Sequence, residues 1–260
     1  MRLVFIRHGD PDYVNDTLTP KGRREAELLA RWLKDKRIDA VYQSPLGRAR
    51  DTARYVLDAK GMEAETLPWL QEFQARFDPN LSADARMAYS NELKTDPATG
   101  KFQKRILWDI LPSYYAAHPA LFASDQWKQT ELVRCSDMAE RYDEAVREFD
   151  GLLSRHGYER NGSIYRVRAG NDQVIAFFCH FAISAVLLSH LWNVSPFVPL
   201  QFLSAAPTSV TEVATEEREQ GIACFRTLRY GDITHLNLGG EPASFSARFC
   251  ERYENLDERH

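Results

Sequence analysis

Leu3-Val4-Phe5-Ile6-Arg7-His8-Gly9 is the stretch of the chain that decides its fold. Four consecutive apolar residues followed by a polar turn predict a short strand buried on both faces, as in the sheet of an α/β protein. Ligands of such proteins bind beyond the carboxyl ends of the strands, where we expect Arg7 and His8 to lie. Arg7 offers a forked donor for phosphate or carboxylate, and His8 can serve as nucleophile, base or ligand. Taken alone, the tripeptide is equally well explained as a solvated arginine beside a structural histidine.

A second apolar run also ends in a histidine. Residues 174–179 predict a buried strand, His180 follows it directly, and residues 181–191 predict an apolar helix. His180 therefore has the same expected position as His8, between a strand end and a helix start. Two histidines that repeat this position are harder to explain as structural residues than either one alone.

Two arginines follow the strand predicted at residues 38–42. Arg48 and Arg50 lie in the first turns of the next predicted helix, where backbone N–H groups favour anions. Cations are electrostatically unfavourable at this end of a helix, so a bound anion would explain at least one of them. The alternative is that both are ordinary surface cations. Because they are two positions apart, we expect only one to point towards the site.

A lone carboxylate, Glu72, follows the strand predicted at residues 64–67. Its neighbours are apolar and aromatic, which favours a role as a general acid, and a solvated loop glutamate is the other interpretation. Elsewhere, the apolar spacing predicts an amphipathic helix over residues 20–36 with Thr19 as its N-cap. Two further strands are expected near the end of the chain, at residues 209–213 and 224–228.

Residues 78–134 have a different pattern, with prolines, aromatic residues and short helical segments. We interpret them as a helical insertion that lies over the edge of the sheet and influences which substrate fits. The length of 260 residues and the 44% hydrophobic content suit one large α/β domain with such an elaboration. The expected organisation is thus a single domain over residues 1–260.

Composition excludes several classes of function. The formal net charge of −4 indicates no surface for nucleic acid or anionic membranes. The apolar runs are too short to span a membrane, and the first strand leaves no room for a secretory signal, so we expect a cytoplasmic protein. No Cys-x-x-Cys pair occurs, which argues against a zinc knuckle or a disulfide framework. The four cysteines are Cys135, Cys179, Cys224 and Cys250. The oligomeric state is not predicted.

Together, the strand ends bring five residues into one expected pocket: Arg7, His8, Arg48, Glu72 and His180. Two arginines and two imidazoles suit a phosphoryl group, whose charge spreads over its oxygens during transfer. Magnesium would require a carboxylate cluster, and a nucleotide a glycine-rich phosphate loop; neither occurs. The arginines argue against the competing use of two histidines as metal ligands. We therefore expect neither a metal nor a cofactor.

These motifs resemble the histidine phosphatase superfamily, in the branch with an Arg-His-Gly motif, which includes the cofactor-dependent phosphoglycerate mutases and the bisphosphatase of fructose-2,6-bisphosphate. The resemblance rests on Arg7-His8-Gly9, on Ser44-Pro45-Leu46-Gly47-Arg48-Ala49 with Thr52-Ala53, and on the apolar strand that ends in His180. It implies an α/β fold, a three-layer α/β/α sandwich around a mostly parallel sheet. It also implies a phosphatase whose partner is a small phosphorylated substrate.

The resemblance further implies a role for each residue of the pocket. His8 would attack phosphorus and become a phosphohistidine, while Arg7, Arg48 and His180 would hold the phosphoryl oxygens. Glu72 would protonate the leaving oxygen and later accept a proton from the attacking water. The leading hypothesis is a metal-independent phosphomonoesterase that acts on a small phosphorylated metabolite.

Two departures from the family pattern keep other functions open. Phe181 stands where family members usually have glycine, and its ring would narrow the pocket. After Glu72, Phe73-Gln74-Ala75 replaces the Arg-His-Tyr-Gly of the mutases, which favours hydrolysis over mutase transfer. The alternatives are a mutase-type phosphotransferase and a catalytically lapsed module that binds phosphoryl groups or proteins. From their position in the loop after His8, Asp10 and Tyr13 are predicted to line the entrance.

Overall fold

The computed structural model of the chain describes residues 1–244, 246 and 252–254. Cys250 lies outside the described residues. The strands are β1 (Arg2–Arg7), β2 (Pro11–Asp12), β3 (Thr17–Leu18), β4 (Ala40–Gln43), β5 (Glu65–Thr66), β6 (Arg76–Phe77), β7 (Arg105–Ile106), β8 (Tyr158–Asn161), β9 (Ile164–Val167), β10 (Val174–Cys179), β11 (Val210–Glu219) and β12 (Ile222–Asp232).

The helices begin and end within a few residues of the predicted bounds where a prediction was made. They are α1 (Pro20–Leu33), α2 (Gly47–Lys60), α3 (Ala83–Arg86), α4 (Pro112–Ala117), α5 (Glu131–Arg134), α6 (Met138–Arg155), α7 (Phe181–Trp192), α8 (Phe197–Phe202) and α9 (Thr234–Gly239). Short 3-10 turns lie at Pro68–Leu70, Met87–Tyr89, Pro119–Phe122 and Trp127–Gln129.

An eight-stranded sheet has the order β5-β4-β10-β1-β11-β12-β9-β8. The first four strands of this order pair in parallel, and the pairs from β1–β11 to β9–β8 are antiparallel. It follows that all strands except β11 and β9 run in one direction. The mostly parallel sheet predicted from the sequence is confirmed, with an antiparallel extension on one side.

Helices cover both faces of this sheet. On one face, α1 and α2 contribute Leu29, Leu33 and Val56 to a buried cluster with the apolar side chains of β1 and β10. On the other face, the hydroxyl of Tyr42 lies 2.8 Å from Nε2 of His156, directly after α6. The α/β/α class is therefore confirmed. The helix α1 begins as predicted, because the Thr19 side chain accepts a hydrogen bond from the Gly22 N–H.

The described chain forms two compact units. One consists of residues 1–72, 153–184 and those from 204 onwards, and contains the eight-stranded sheet. The other consists of residues 73–152 and 185–203. Its aromatic packing includes Trp127, whose ring centroid lies 4.9 Å from that of Tyr142. The single-domain organisation and the lid role of residues 78–134, which belong to this second unit, stay predictions.

The hairpin β8–β9 was not predicted. Its two-residue turn is Gly162-Ser163, with Gly162 at a φ of 63°. Gly-Ser between two short runs of strand-forming residues is a recognised hairpin signal, so this element was accessible to sequence analysis. Among the described residues, no helix combines the length and apolar character needed to cross a membrane. The cellular location stays a prediction.

Candidate active site

The centre of the sheet brings His8 and His180 side by side. The strands β1 and β10 are parallel neighbours with Arg7 opposite Cys179, so the residues that follow each strand emerge together. The His8 N–H donates to the Cys179 carbonyl at 3.0 Å, and the two imidazole centroids lie 5.1 Å apart. Both side chains are fully buried. The predicted pairing of the two strand ends is therefore present in the structure.

The environment of His8 selects one tautomer of its ring. Nδ1 lies 2.7 Å from the carbonyl oxygen of Gly9, which can only accept a hydrogen bond. Nδ1 must therefore carry the proton, and the neutral ring keeps a lone pair on Nε2. Burial lowers the pKa of His8 well below its usual value, and the charge of Arg7 adds to the effect. His8 is thus a neutral imidazole with a nucleophilic Nε2 near neutral pH.

His180 is held by the start of the neighbouring loop. Its Nε2 lies 2.8 Å from Oγ of Ser44, while its buried Nδ1 has no hydrogen-bond partner among the described residues. Burial lowers the pKa of His180 well below the usual value, with further contributions from Arg48 and Arg7. A neutral ring with one free nitrogen can hydrogen-bond to a phosphoryl oxygen when Nδ1 carries the proton.

Arg7 and Arg48 both have a buried Nε without a partner in the described structure. Arg7 is fixed through Nη1, which donates to the Ala205 carbonyl at 2.5 Å. Arg48 is fixed through Nη1 as well, 2.6 Å from Oδ1 of Asp16. Arg50 is exposed. Of the two arginines at the start of α2, only Arg48 is buried, as their spacing predicted.

Glu72 caps the helix that follows His180. Its Oε1 accepts hydrogen bonds from the N–H groups of Ala182 at 3.1 Å and Ile183 at 3.2 Å. The positive end of α7 therefore holds this carboxylate near the second histidine. Glu72 also acts on Arg7, since its charge opposes the lowering of the Arg7 pKa by burial. The solvated loop glutamate considered above does not describe this arrangement.

The residues predicted at the entrance have different surroundings. Tyr13 is 63% exposed, and its ring centroid lies 5.3 Å from Cζ of Arg48. The Asp10 carboxylate accepts a hydrogen bond from the Thr19 hydroxyl at 2.6 Å, which gives it a structural role in the loop. Phe181 is half-buried and forms the first residue of α7. That these side chains line the pocket stays a prediction.

Sequence analysis missed two hydroxyl residues that fix the backbone around His8. Oγ1 of Thr52 accepts from the Gly9 N–H at 2.9 Å and donates to the Arg48 carbonyl at 2.8 Å, which ties the two motifs together. The Thr208 N–H lies 3.1 Å from the carbonyl oxygens of both Arg7 and His8. The place of Thr52 inside the second motif was a usable signal, whereas nothing in the local pattern marks Thr208.

A buried histidine supports Thr208 and makes the stability of the fold depend on pH. Nε2 of His235 lies 2.9 Å from Oγ1 of Thr208, and burial lowers the His235 pKa to about 4. The pKa of a histidine in an unfolded chain is about 6.5. Between these two values the unfolded chain binds a proton that the folded chain excludes, so the stability falls as the pH is lowered.

We expect His235→Gln to weaken this pH dependence. Between about pH 7 and about pH 4, the wild type should lose roughly 3 kcal/mol more free energy of unfolding than the variant. Glutamine stays neutral and keeps a donor for Thr208. Urea unfolding of both proteins at several pH values measures the difference, because other titrating groups are shared. Parallel stability curves would contradict the assignment of a neutral His235.

No group of three or more histidine, cysteine, aspartate or glutamate side chains in the described part of the chain has the geometry to hold a metal ion. The arrangement instead combines two neutral imidazoles, two guanidinium groups and one carboxylate on a helix N-terminus. Such a set can bind a phosphoryl group, attack it and handle the proton of a leaving group.

Comparison with known proteins points in the same direction. The sequence model of the histidine phosphatase superfamily, branch 1, matches residues 3–103. The putative phosphoserine phosphatase 2 of Hydrogenobacter thermophilus is 24% identical over 206 residues, covering 74% of this chain and 83% of that protein. The 2,3-bisphosphoglycerate-dependent phosphoglycerate mutase of Thermoplasma acidophilum is 31% identical over 121 residues, covering 42% and 59%.

Solved structures share the fold at low identity. A mycobacterial glucosyl-3-phosphoglycerate phosphatase in complex with inorganic phosphate matches with a TM-score of 0.55 and 17% identity, over 90% of this chain and 98% of that chain. A mutant phosphoserine phosphatase from Entamoeba histolytica in complex with phosphoserine gives a TM-score of 0.52 and 17% identity, with the same coverage.

Proposed function

We propose that the chain, whose residues 3–103 match the model of the histidine phosphatase superfamily, is a phosphatase that hydrolyses a small phosphorylated metabolite through a phosphohistidine on His8, without a metal ion. The observation that carries the proposal is the state of His8. Its ring is buried and neutral, with the proton on Nδ1 and a free Nε2, and it lies beside His180. This is the form of histidine that can attack phosphorus.

In the first step, Arg7, Arg48 and His180 bind the phosphoryl oxygens, and Nε2 of His8 attacks phosphorus. The bond from phosphorus to the ester oxygen breaks as the new P–N bond forms. Glu72 gives its proton to the leaving oxygen, so the product is an alcohol. The guanidinium groups stabilise the charge that develops on the phosphoryl oxygens.

In the second step, the Glu72 carboxylate accepts a proton from a water molecule, whose oxygen attacks the phosphohistidine. The P–N bond breaks, inorganic phosphate leaves and His8 returns to its neutral state. The relatives named for phosphoserine and glucosyl-3-phosphoglycerate support a small phosphorylated metabolite as the substrate class. A mutase is the second candidate, because one relative with 31% identity carries that name.

Phosphate release in the presence of a chelator tests the proposal. The wild type is incubated with p-nitrophenyl phosphate and with a panel of phosphorylated metabolites, and inorganic phosphate is measured. We expect turnover that the chelator does not reduce. A requirement for a divalent metal would overturn the proposed route. Phosphoryl transfer between two positions of 3-phosphoglycerate, detected by ³¹P NMR, would identify a mutase. Phosphate or vanadate binding without any turnover would identify a lapsed module.

A further inference from the structure

Asp16, at the end of the loop that follows His8, is docked on the phosphate-binding side of the site. Its Oδ1 lies 2.6 Å from Nη1 of Arg48, and its Oδ2 accepts the Gly47 N–H at 2.6 Å. One carboxylate therefore binds one guanidinium nitrogen of Arg48 and the first backbone donor of the 14-residue helix α2. These are the two groups in this region that would otherwise attract an anion.

The docking is built into the backbone. Asp16 has a φ of 48°, in the left-handed region that few residues other than glycine, asparagine and aspartate adopt. Gly47 permits the close approach, because a Cβ at this position would come within 2.1 Å of the Asp16 carbonyl oxygen. Strained backbone of this kind persists only where the surrounding contacts hold it in place. We therefore regard the carboxylate position as a defined feature of the site.

The contact between Asp16 and Arg48 lowers the net positive charge of the site. The N-terminus of α2 holds Asp16, and the N-terminus of α7 holds Glu72. With His8 and His180 neutral and Glu72 carrying the proton that the proposed first step uses, the Asp16 carboxylate offsets one of the two guanidinium charges. A site of this composition attracts a second negative charge on a substrate much less than two unpaired arginines would.

The Asp16 carboxylate lies on the solvent side of Arg48. The Asp16 side chain is 41% exposed, whereas that of Arg48 is 9% exposed and His8 is buried. Tyr13, from the same loop, is exposed and lies over Arg48. A phosphoryl group that reaches His8 must leave the rest of the substrate on the solvent side, near Asp16.

We infer that Asp16 determines specificity by charge: it favours phosphomonoesters whose remaining part is neutral or cationic and selects against those with a second anionic group. This inference rests on the proposed function. Asp16 acts on the substrate across space, without taking part in bond making or breaking. Its removal should change the ranking of substrates while the chemistry at His8 continues.

Three esters of similar size test the inference: phosphoethanolamine, glycerol 3-phosphate and 3-phosphoglycerate, whose remaining parts are cationic, neutral and anionic. The wild type should have its lowest kcat/KM with 3-phosphoglycerate. In Asp16→Asn, the ratio of kcat/KM for 3-phosphoglycerate to that for phosphoethanolamine should rise about tenfold, as expected for one charge at several ångströms. The gain should shrink at high ionic strength.

Two further variants separate charge from structure. Asp16→Ser keeps an acceptor for the helix N-terminus and should change the ratio in the same way. Asp12→Asn removes a charge from the same loop, but the Asp12 carboxylate bonds to Asn15 and its substitution should leave the ratio unchanged. A ratio that stays within about twofold of the wild type in both Asp16 variants would overturn the inference, as would a wild type that prefers 3-phosphoglycerate. A wild type that hydrolyses no ester would instead overturn the proposed function and, with it, this role.

Discussion

Replacing His8 with alanine is expected to lower kcat for phosphomonoester hydrolysis by a factor on the order of 10⁴ or more, because the variant has no atom that can attack phosphorus. The hydrogen bond of the His8 ring is local, since Nδ1 lies 2.7 Å from the carbonyl oxygen of the adjacent Gly9. The variant should therefore fold and still bind phosphate through Arg7 and Arg48. Steady-state hydrolysis of p-nitrophenyl phosphate measures the loss.

Trapping the intermediate makes this prediction specific. After acid-free quenching with labelled substrate, the wild type should carry a phosphoryl group that is stable in alkali and labile in acid, as expected of a P–N bond. His8→Ala should carry none. His118→Gln is the matched control, because His118 stacks on Tyr114 in the other compact unit and should leave labelling unchanged. Labelling of His8→Ala would show that another residue is the nucleophile.

Glu72→Gln should have the second largest effect, and its size should depend on the leaving group. An alkyl ester needs a proton on its leaving oxygen, so kcat/KM should fall by roughly 10²–10⁴. The nitrophenolate of p-nitrophenyl phosphate leaves without one, so its release in the first turnover should be nearly unaffected. Slower water attack should then produce a burst of nitrophenol in pre-steady-state measurements. Glutamine can still accept from the start of α7.

Glu63→Gln provides the control for the loss of one carboxylate, because Glu63 is exposed nine residues earlier in the chain. It should behave as the wild type with both substrates. An equal loss of activity with alkyl and aryl esters in Glu72→Gln would mean that Glu72 positions α7 and is not the acid. Full activity of Glu72→Gln with both esters would show that Glu72 takes no part in the reaction.

The sequence predicted the parts of the site that depend on long apolar runs. The strands β1 and β10 are continuous apolar stretches, so their type and their ends were predictable, and the position of the two histidines followed from them. The N-cap Thr19 was also predictable, because a threonine side chain that accepts a hydrogen bond from the first turn is a local signal of a helix start. The sequence analysis placed Arg48, and not Arg50, in the pocket through the resemblance, and in the structure Arg48 is buried while Arg50 is exposed.

Other parts of the site depend on contacts between distant segments. Asp16 reaches Arg48 because a loop closes over α2, and Thr208 reaches the carbonyl of His8 because a backbone in the left-handed region directs its N–H there. Both residues have a positive φ, which aspartate tolerates and which the β-branched side chain of Thr208 disfavours. Local periodicity and propensity contain no information about conformations that tertiary contacts impose, so neither contact was predicted.

The position of β1 at the centre of the sheet has a consequence for how the chain folds. Its two partners, β10 and β11, begin at residues 174 and 210. Neither edge of β1 can therefore form its hydrogen bonds until most of the chain has been synthesised. Contacts between such distant segments make folding slow, and an unpaired apolar strand is prone to aggregate. On the ribosome, the segment that contains His8 is synthesised before both of its partner strands and becomes ordered late. A nascent chain that stops short of residue 180 therefore lacks the second histidine and has no site.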